Sequence, residues 1–244
     1  MKNFLSDRKK LFFAAFAFIE LAIYITFIVM QALGNSKDTI EIKYIGILLC
    51  LFAAAVSIYF YGKDGLVVTC ALVFTAIADM FILVRYSFLE AGLVAFIATQ
   101  TMYFIRIYLL NGRNPLISLG VRLGISVVCI IIMAVIGKLT LLVGLVAVYL
   151  PMLVINAIES GMLIAISRRH IIFFLGLLLF VGCDVCVGLY NASMIGVKLS
   201  DFALSFVSFA IWVFYLPSQV LIALSTHKAE YKPFFGTTLF NNEE

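Results

Sequence analysis

Two carboxylates stand where hydrocarbon is expected. Asp79 lies in LVVTCALVFTAIADMFILV and Asp184 in IIFFLGLLLFVGCDVCVGLYN. Each stretch is long enough to cross a bilayer. A charged side chain at the centre of a spanning helix costs roughly +2.5 to +3.5 kcal/mol on insertion scales. A neutral amide bridges helices at lower cost, so two acids, one in each half of the chain, point to chemistry inside the membrane. On neighbouring helices the carboxyls would face one another across a shared pocket. One would hold a proton while the other stayed ionised, a division suited to acid–base catalysis.

Other polar residues recur at helical spacing and define a seam that turns inward, away from lipid. Glu20, Tyr24 and Gln31 share a face of the first apolar stretch, and Thr75 precedes Asp79 by one turn. Tyr149, Asn156, Glu159 and Ser160 line up around Pro151, and Asp184 continues through Gly188 and Asn191. Ser208, Trp212, Tyr215 and Gln219 form a stripe near the end, and Gln100 and Tyr103 lie a turn apart in the middle. Thr75, Ser208 and Asn191 read as helix–helix glue, worth about 0.6 kcal/mol each. Arg106 and Arg122 lie about a turn from a span end, placed either to snorkel to the interface or to hold a phosphate.

The elements that must position these groups follow from composition. The 244 residues are 64% hydrophobic and 12% charged, far from the balance of a soluble domain. A soluble enzyme and a disordered chain are both excluded. The expected fold is an all-α membrane protein, a bundle of about eight transmembrane helices at 11–33, 44–62, 66–84, 91–110, 119–137, 141–166, 171–191 and 202–225. Residues 1–10 read as a cytoplasmic segment, 11–225 as the membrane domain and 226–244 as a polar tail. The breakers Gly34-Asn35-Ser36, Gly62-Lys63-Asp64-Gly65 and Asn111-Gly112-Arg113-Asn114-Pro115 separate spans.

Basic residues set an orientation. Lys2, Arg8, Lys9, Lys10, Lys63, Arg113, Arg168, Arg169, Lys228 and Lys232 fall on one side; Lys37, Lys43, Arg85, Lys138 and Lys198 fall on the other. The bias of roughly two to one puts both termini in the cytoplasm and both aspartates in the outer half. Spans three and seven each carry an Asp, and spans four and eight each carry a Tyr near a Gln. That pattern is open to two readings, a four-plus-four repeat or chance likeness. The five cysteines, Cys50, Cys70, Cys129, Cys183 and Cys186, are odd in number and lie within spans, so a disulfide framework is not expected. Cys183-x-x-Cys186 lacks companion ligands and reads as small packing residues rather than a zinc or redox site. No metal, cofactor or nucleic-acid partner is expected, and the oligomeric state is left open.

Four segments in order resemble the lysoplasmalogenase-like (YhhN) family of membrane proteins. ALVFTAIADMFIL is similar to its first Asp motif and AGLVAFIATQTMY to its following segment. GLLLFVGCDVCVGLYN is similar to its second Asp motif and FYLPSQVLIALS to its closing segment. The resemblance implies hydrolysis of the vinyl ether bond of lysoplasmalogens, with a lysophospholipid substrate drawn from membrane lipid. It implies Asp79 and Asp184 as the catalytic pair and Tyr103, Tyr215 and Gln219 as nearby site residues. The family's fourth-span His is Gln100 in this chain, and Ala78 and Cys183 replace the small Ser or Gly before each Asp. Gln cannot exchange a proton, so Gln100 would only orient water or a hydroxyl. Tyr149, Asn156 and Glu159 join the expected substrate site from the polar seam. Trp212, with Tyr103 and Tyr215, would pack on the alkenyl chain or a choline headgroup. Two other functions fit the same seam, a small-solute or proton-coupled transporter and a non-catalytic lipid-binding protein. A zinc hydrolase of the ceramidase type would need intramembrane histidines, and His170 and His227 lie at helix ends.

Overall fold

The computed structural model describes residues 2–33, 39–85, 88–194 and 199–228. The Gly34-Asn35-Ser36 turn, Lys37, Lys198, Lys232 and most of the polar tail lie outside the described residues. Eight helices run in order: α1 (Lys2–Ala32), α2 (Thr39–Tyr61), α3 (Lys63–Asp79), α4 (Leu89–Asn111), α5 (Leu116–Val135), α6 (Leu141–Leu163), α7 (Ile171–Met194) and α8 (Asp201–Leu224). All eight are long and apolar enough to span a membrane, α3 with the π-helical segment Met80–Val84 that extends it. The expected multi-pass bundle is therefore the observed one. Helix α1 begins at Lys2, so the segment assigned to a separate N-terminal region is already helical.

Local chemistry sets the ends. Thr140 and Ser200 cap α6 and α8, accepting from the Val143 and Ala203 amides at 3.2 Å each. Gly112 takes the left-handed conformation that closes α4, at φ 69°. Between these ends the outward faces are apolar. On α5 alone, Ile117, Val121, Val128, Ile131 and Val135 are exposed, as lipid contact requires.

Five helices close a ring: α3 packs on α4, α4 on α6, α6 on α7, α7 on α8, and α8 back on α3. Outside it, α2 lies against α3 and α8, α1 against α2 and α8, and α5 against α6. Exchanging the two halves of the chain maps the α4–α6 contact onto α8–α2, and both exist. The α1–α8 contact has no α5–α4 counterpart among the described residues. Helices α3 and α7, which carry the two aspartates, do not touch. The face where α1 begins and α8 ends, the terminal face, carries Arg8, Lys9, Lys10, Lys63, Arg113, Arg168, Arg169 and Lys228.

Close approach beside Asp79 depends on Gly92. A Cβ there would sit 2.4 Å from Ile82 Cγ1 and 3.3 Å from the Ala78 carbonyl oxygen, so α4 is held tight against the backbone that presents Asp79. Gly92→Leu should lower stability by about 1–3 kcal/mol, the cost of overpacking a well-filled contact. Denaturant unfolding in detergent would measure it, and an unchanged midpoint would mean that α4 can move away freely.

Candidate active site

Asp79 is the last residue of α3, and the backbone beyond it does not continue as an α-helix. Met80–Val84 form a π-helical turn closed by the Arg85 amide on the Met80 carbonyl at 3.1 Å. Such insertions occur often at functional sites because they widen the helix and re-aim side chains. Asp79 is buried, and the Tyr215 hydroxyl of α8 donates to its Oδ2 at 2.7 Å. The Tyr44 hydroxyl of α2 donates to the Ala76 carbonyl at 3.3 Å, within electrostatic reach of the same carboxyl.

Asp184 enters the ring from α7, half-buried, with the Tyr149 hydroxyl of α6 within electrostatic reach of its carboxyl. Buried Cys183 lies within electrostatic reach of both aspartates. The two tyrosines converge on Phe96 of α4, with ring centroids at 5.9 Å for Tyr149 and 6.5 Å for Tyr215. Phe180 of α7 closes the group, 5.8 Å from Phe96 and 5.6 Å from Tyr215. The expectation of facing carboxyls that share a proton gives way to a different arrangement. The aspartates come from non-adjacent members of the ring, and each has its own tyrosine. Under a four-plus-four exchange the partner of Asp184 would come from α4, so the repeat does not extend to the site.

The remaining predicted residues divide by depth. Trp212 belongs with the aspartates, its ring 5.4 Å from that of Tyr215. Tyr103, two turns below Phe96 on α4, stacks edge-on against Phe173 at 5.7 Å. Gln219 is fully buried one turn below Tyr215; its Oε1 has no partner and its Nε2 makes a long contact of 3.4 Å with Ser218 Oγ. Gln100 and Asn156 form a second layer: Asn156 Nδ2 donates to the Gln100 carbonyl at 2.8 Å and to its Oε1 at 3.0 Å. Asn156 also accepts from Arg122 at 2.8 Å, and Glu159 pairs with Arg122 at 2.7 Å. Ser118 and Tyr108 complete that network through Glu159. Asn156 and Glu159 thus hold Arg122 and are set away from the aspartate cluster.

A family model described as the YhhN family matches residues 39–226. The chain belongs to the YhhN family. Neither the curated proteins nor the solved structures give a match. The matched range begins at the first residue of α2, so it takes in both aspartates of the YhhN chain, both tyrosine partners and every member of the ring. Helix α1 lies outside it.

Several assignments change within this YhhN bundle. Arg106 and Arg122 neither snorkel nor stand free for a phosphate. Arg106 is fully buried, its Nε and Nη2 bonded to Asp64 at 2.8 and 2.9 Å and its Nη1 to Ser225 Oγ at 2.7 Å. Gly188 and Asn191 are exposed, and Asn191 bonds only its own helix at the Val187 carbonyl. The expected cavity lining therefore stops at Asp184 on α7. Thr75 does act as glue, 3.3 Å from Thr99 across the α3–α4 contact. Among the described residues no three His, Cys, Asp or Glu side chains converge as a metal site would need. One surface hollow lies far from the aspartates, at the terminal face between Tyr108, Arg113, Glu159 and Ile166.

Phe96, Phe180 and Asp64 carried no sequence signal of their own. An aromatic in an apolar span looks like packing, and Asp64 sat in a breaker between spans. A buried arginine was the available clue to Asp64, since a charge in hydrocarbon requires a counter-charge.

Proposed function

We propose that this YhhN protein hydrolyses the vinyl ether bond of lysoplasmalogens, releasing a fatty aldehyde and glycerophospho-ethanolamine or glycerophospho-choline. The observation that carries this reading is the pair of intramembrane carboxyls, each with a tyrosine hydroxyl close by, inside a ring otherwise filled with aromatic side chains. Vinyl ethers break when a proton is delivered to the β-carbon of the double bond, which leaves an oxocarbenium ion at the carbon bearing oxygen. One aspartate delivers that proton. The other, ionised, stabilises the cation and takes a proton from the water that adds to it. The hemiacetal then collapses as the first aspartate takes its hydroxyl proton and the second gives a proton to the departing glycerol oxygen, so one water is consumed and both carboxyls return to their starting states. The two acids reach the alkenyl group from non-adjacent members of the ring. The tyrosines fix the carboxyl rotamers, and the aromatic walls accept the chain. The excess of basic residues at the terminal face supports a cytoplasmic location for both ends.

Purified protein in detergent should release aldehyde from a plasmenyl lysolipid and none from the saturated alkyl-ether analogue. No release from the plasmenyl substrate ends the hydrolase reading. Tyr215→Phe should lower kcat by about ten- to a hundredfold, because it removes one hydrogen bond to a reacting group, worth about 1.5–3 kcal/mol. Unchanged kcat would remove Tyr215 from the mechanism. A non-catalytic lipid-binding function draws support from Gln100. It stands where the family resemblance implies a His, and its side-chain oxygen is already occupied by Asn156. The same assay separates the two readings.

A further inference from the structure

Lys43 lies one turn inside α2 and is 5% exposed. It occupies the inward stripe of that helix, in line with Gly46, Ile47 and Cys50. Its Nζ donates to Gln31 Oε1 of α1 at 3.2 Å. The ammonium stands 4.7 Å from the Trp212 ring centroid and 5.5 Å from that of Phe27. Among the described residues no carboxylate pairs with it. The other two buried cations differ sharply: Arg106 has Asp64 and Arg122 has Glu159. A buried charge without a counter-ion costs several kcal/mol even after relaxation, and cation–π contact offsets only about 2 kcal/mol of that. The missing anion is therefore expected from outside the chain.

Position narrows its chemistry. Trp212, in contact with Lys43, packs edge-on against Tyr215, whose hydroxyl holds Asp79 at 2.7 Å. Lys43 is thus two aromatic rings from the carboxyl assigned to the vinyl ether. It lies one turn from the start of α2, which begins at Thr39. We propose that Lys43, in its cage of Trp212, Phe27 and Gln31, binds the phosphate of the lysolipid substrate, an inference that rests on the hydrolase reading. Recognition then reads the phosphodiester rather than the amine, so ethanolamine and choline lipids are both accepted and a neutral alkenylglycerol is turned over only slowly, without help from Lys43. Gln31 and Phe27 come from α1, which makes that helix part of the substrate site.

The test uses two arms. In the first, Lys43→Gln lowers kcat/KM for plasmenyl lysophosphocholine by about tenfold or more, carried by KM, as loss of a charged hydrogen bond predicts. The same variant leaves hydrolysis of 1-alkenylglycerol nearly unchanged, and Lys43→Arg restores most of the loss. Equal loss on both substrates, or no loss, overturns the proposal. The second arm needs no catalysis. Trp212 is the only tryptophan in the chain, so its fluorescence reports occupancy. Titration with saturated alkyl-ether lysophosphocholine shifts the wild-type signal, and alkylglycerol does not. The response disappears in Lys43→Gln, with thermal melts confirming that the variant is folded. A positive second arm without aldehyde release keeps the phosphate site and rejects the hydrolase. If two-chain phosphatidylcholine titrates Trp212 equally well, the site holds a bilayer lipid and the substrate assignment falls.

Discussion

Asp79→Asn and Asp184→Asn should each reduce aldehyde release by about 10²–10⁴-fold, the range that a positioned acid or base contributes, while the protein stays folded. Asn keeps the shape of the side chain and still accepts a hydrogen bond from the tyrosine hydroxyl, so Tyr215 and Tyr149 retain a partner. It can neither give a proton to carbon nor balance an oxocarbenium charge. The two variants should fail to a similar degree, and the double variant should be little worse than either, since groups that act as a unit are not additive. The measurement is aldehyde formed per enzyme from a plasmenyl lysolipid, read beside a thermal melt. If either single variant keeps more than about a tenth of wild-type activity, that residue is not an acid or base in the reaction.

The second large effect is on stability and comes from the opposite end of the ring. Arg106→Met should destabilise the bundle by about 3–5 kcal/mol, because it takes away the guanidinium that bonds both oxygens of buried Asp64. Asp64 is 1% exposed and also accepts from the His227 amide at 2.9 Å, so it has no route to water without opening the end of α8. Replacing both partners with apolar residues, Asp64→Leu with Arg106→Met, should recover most of the loss, as it removes both charges together. Denaturant unfolding of the three variants in one detergent measures this. Equal instability of the single and double variants would mean that the pair itself contributes to the fold.

Much of the architecture was legible because hydrocarbon is an unforgiving solvent. Eight spans follow from length and apolar content alone, and their observed ends fall within about five residues of those expected except at the start of α1, which is helical from Lys2. Asp79 and Asp184 stood out for the same reason, as carboxylates that lipid would reject. Neighbourhood was not legible. Nothing in the periodicity of α3 and α7 says that α4, α6 and α8 lie between them, so the aspartates were expected to face one another. Lys43 illustrates the second limit. At the start of a span it reads as a flanking charge that helps set orientation, whereas it is buried against Trp212. Arg85 and Lys138, counted with it, are exposed. Polar residues on one helical face were assigned to a single cavity. Asn156 and Glu159 instead face Arg122, a choice decided by α5 packing on α6, which one strand of sequence cannot display.

Pro217 lacks an amide hydrogen and so releases the Val213 carbonyl from the α8 ladder. The Tyr24 hydroxyl of α1 donates to that oxygen at 3.2 Å, across 189 residues of chain. An open carbonyl in lipid costs several kcal/mol, so α1 supplies what α8 needs. Until the two helices meet in the bilayer, the Val213 carbonyl has no match, and α8 cannot settle into the place from which Tyr215 holds Asp79.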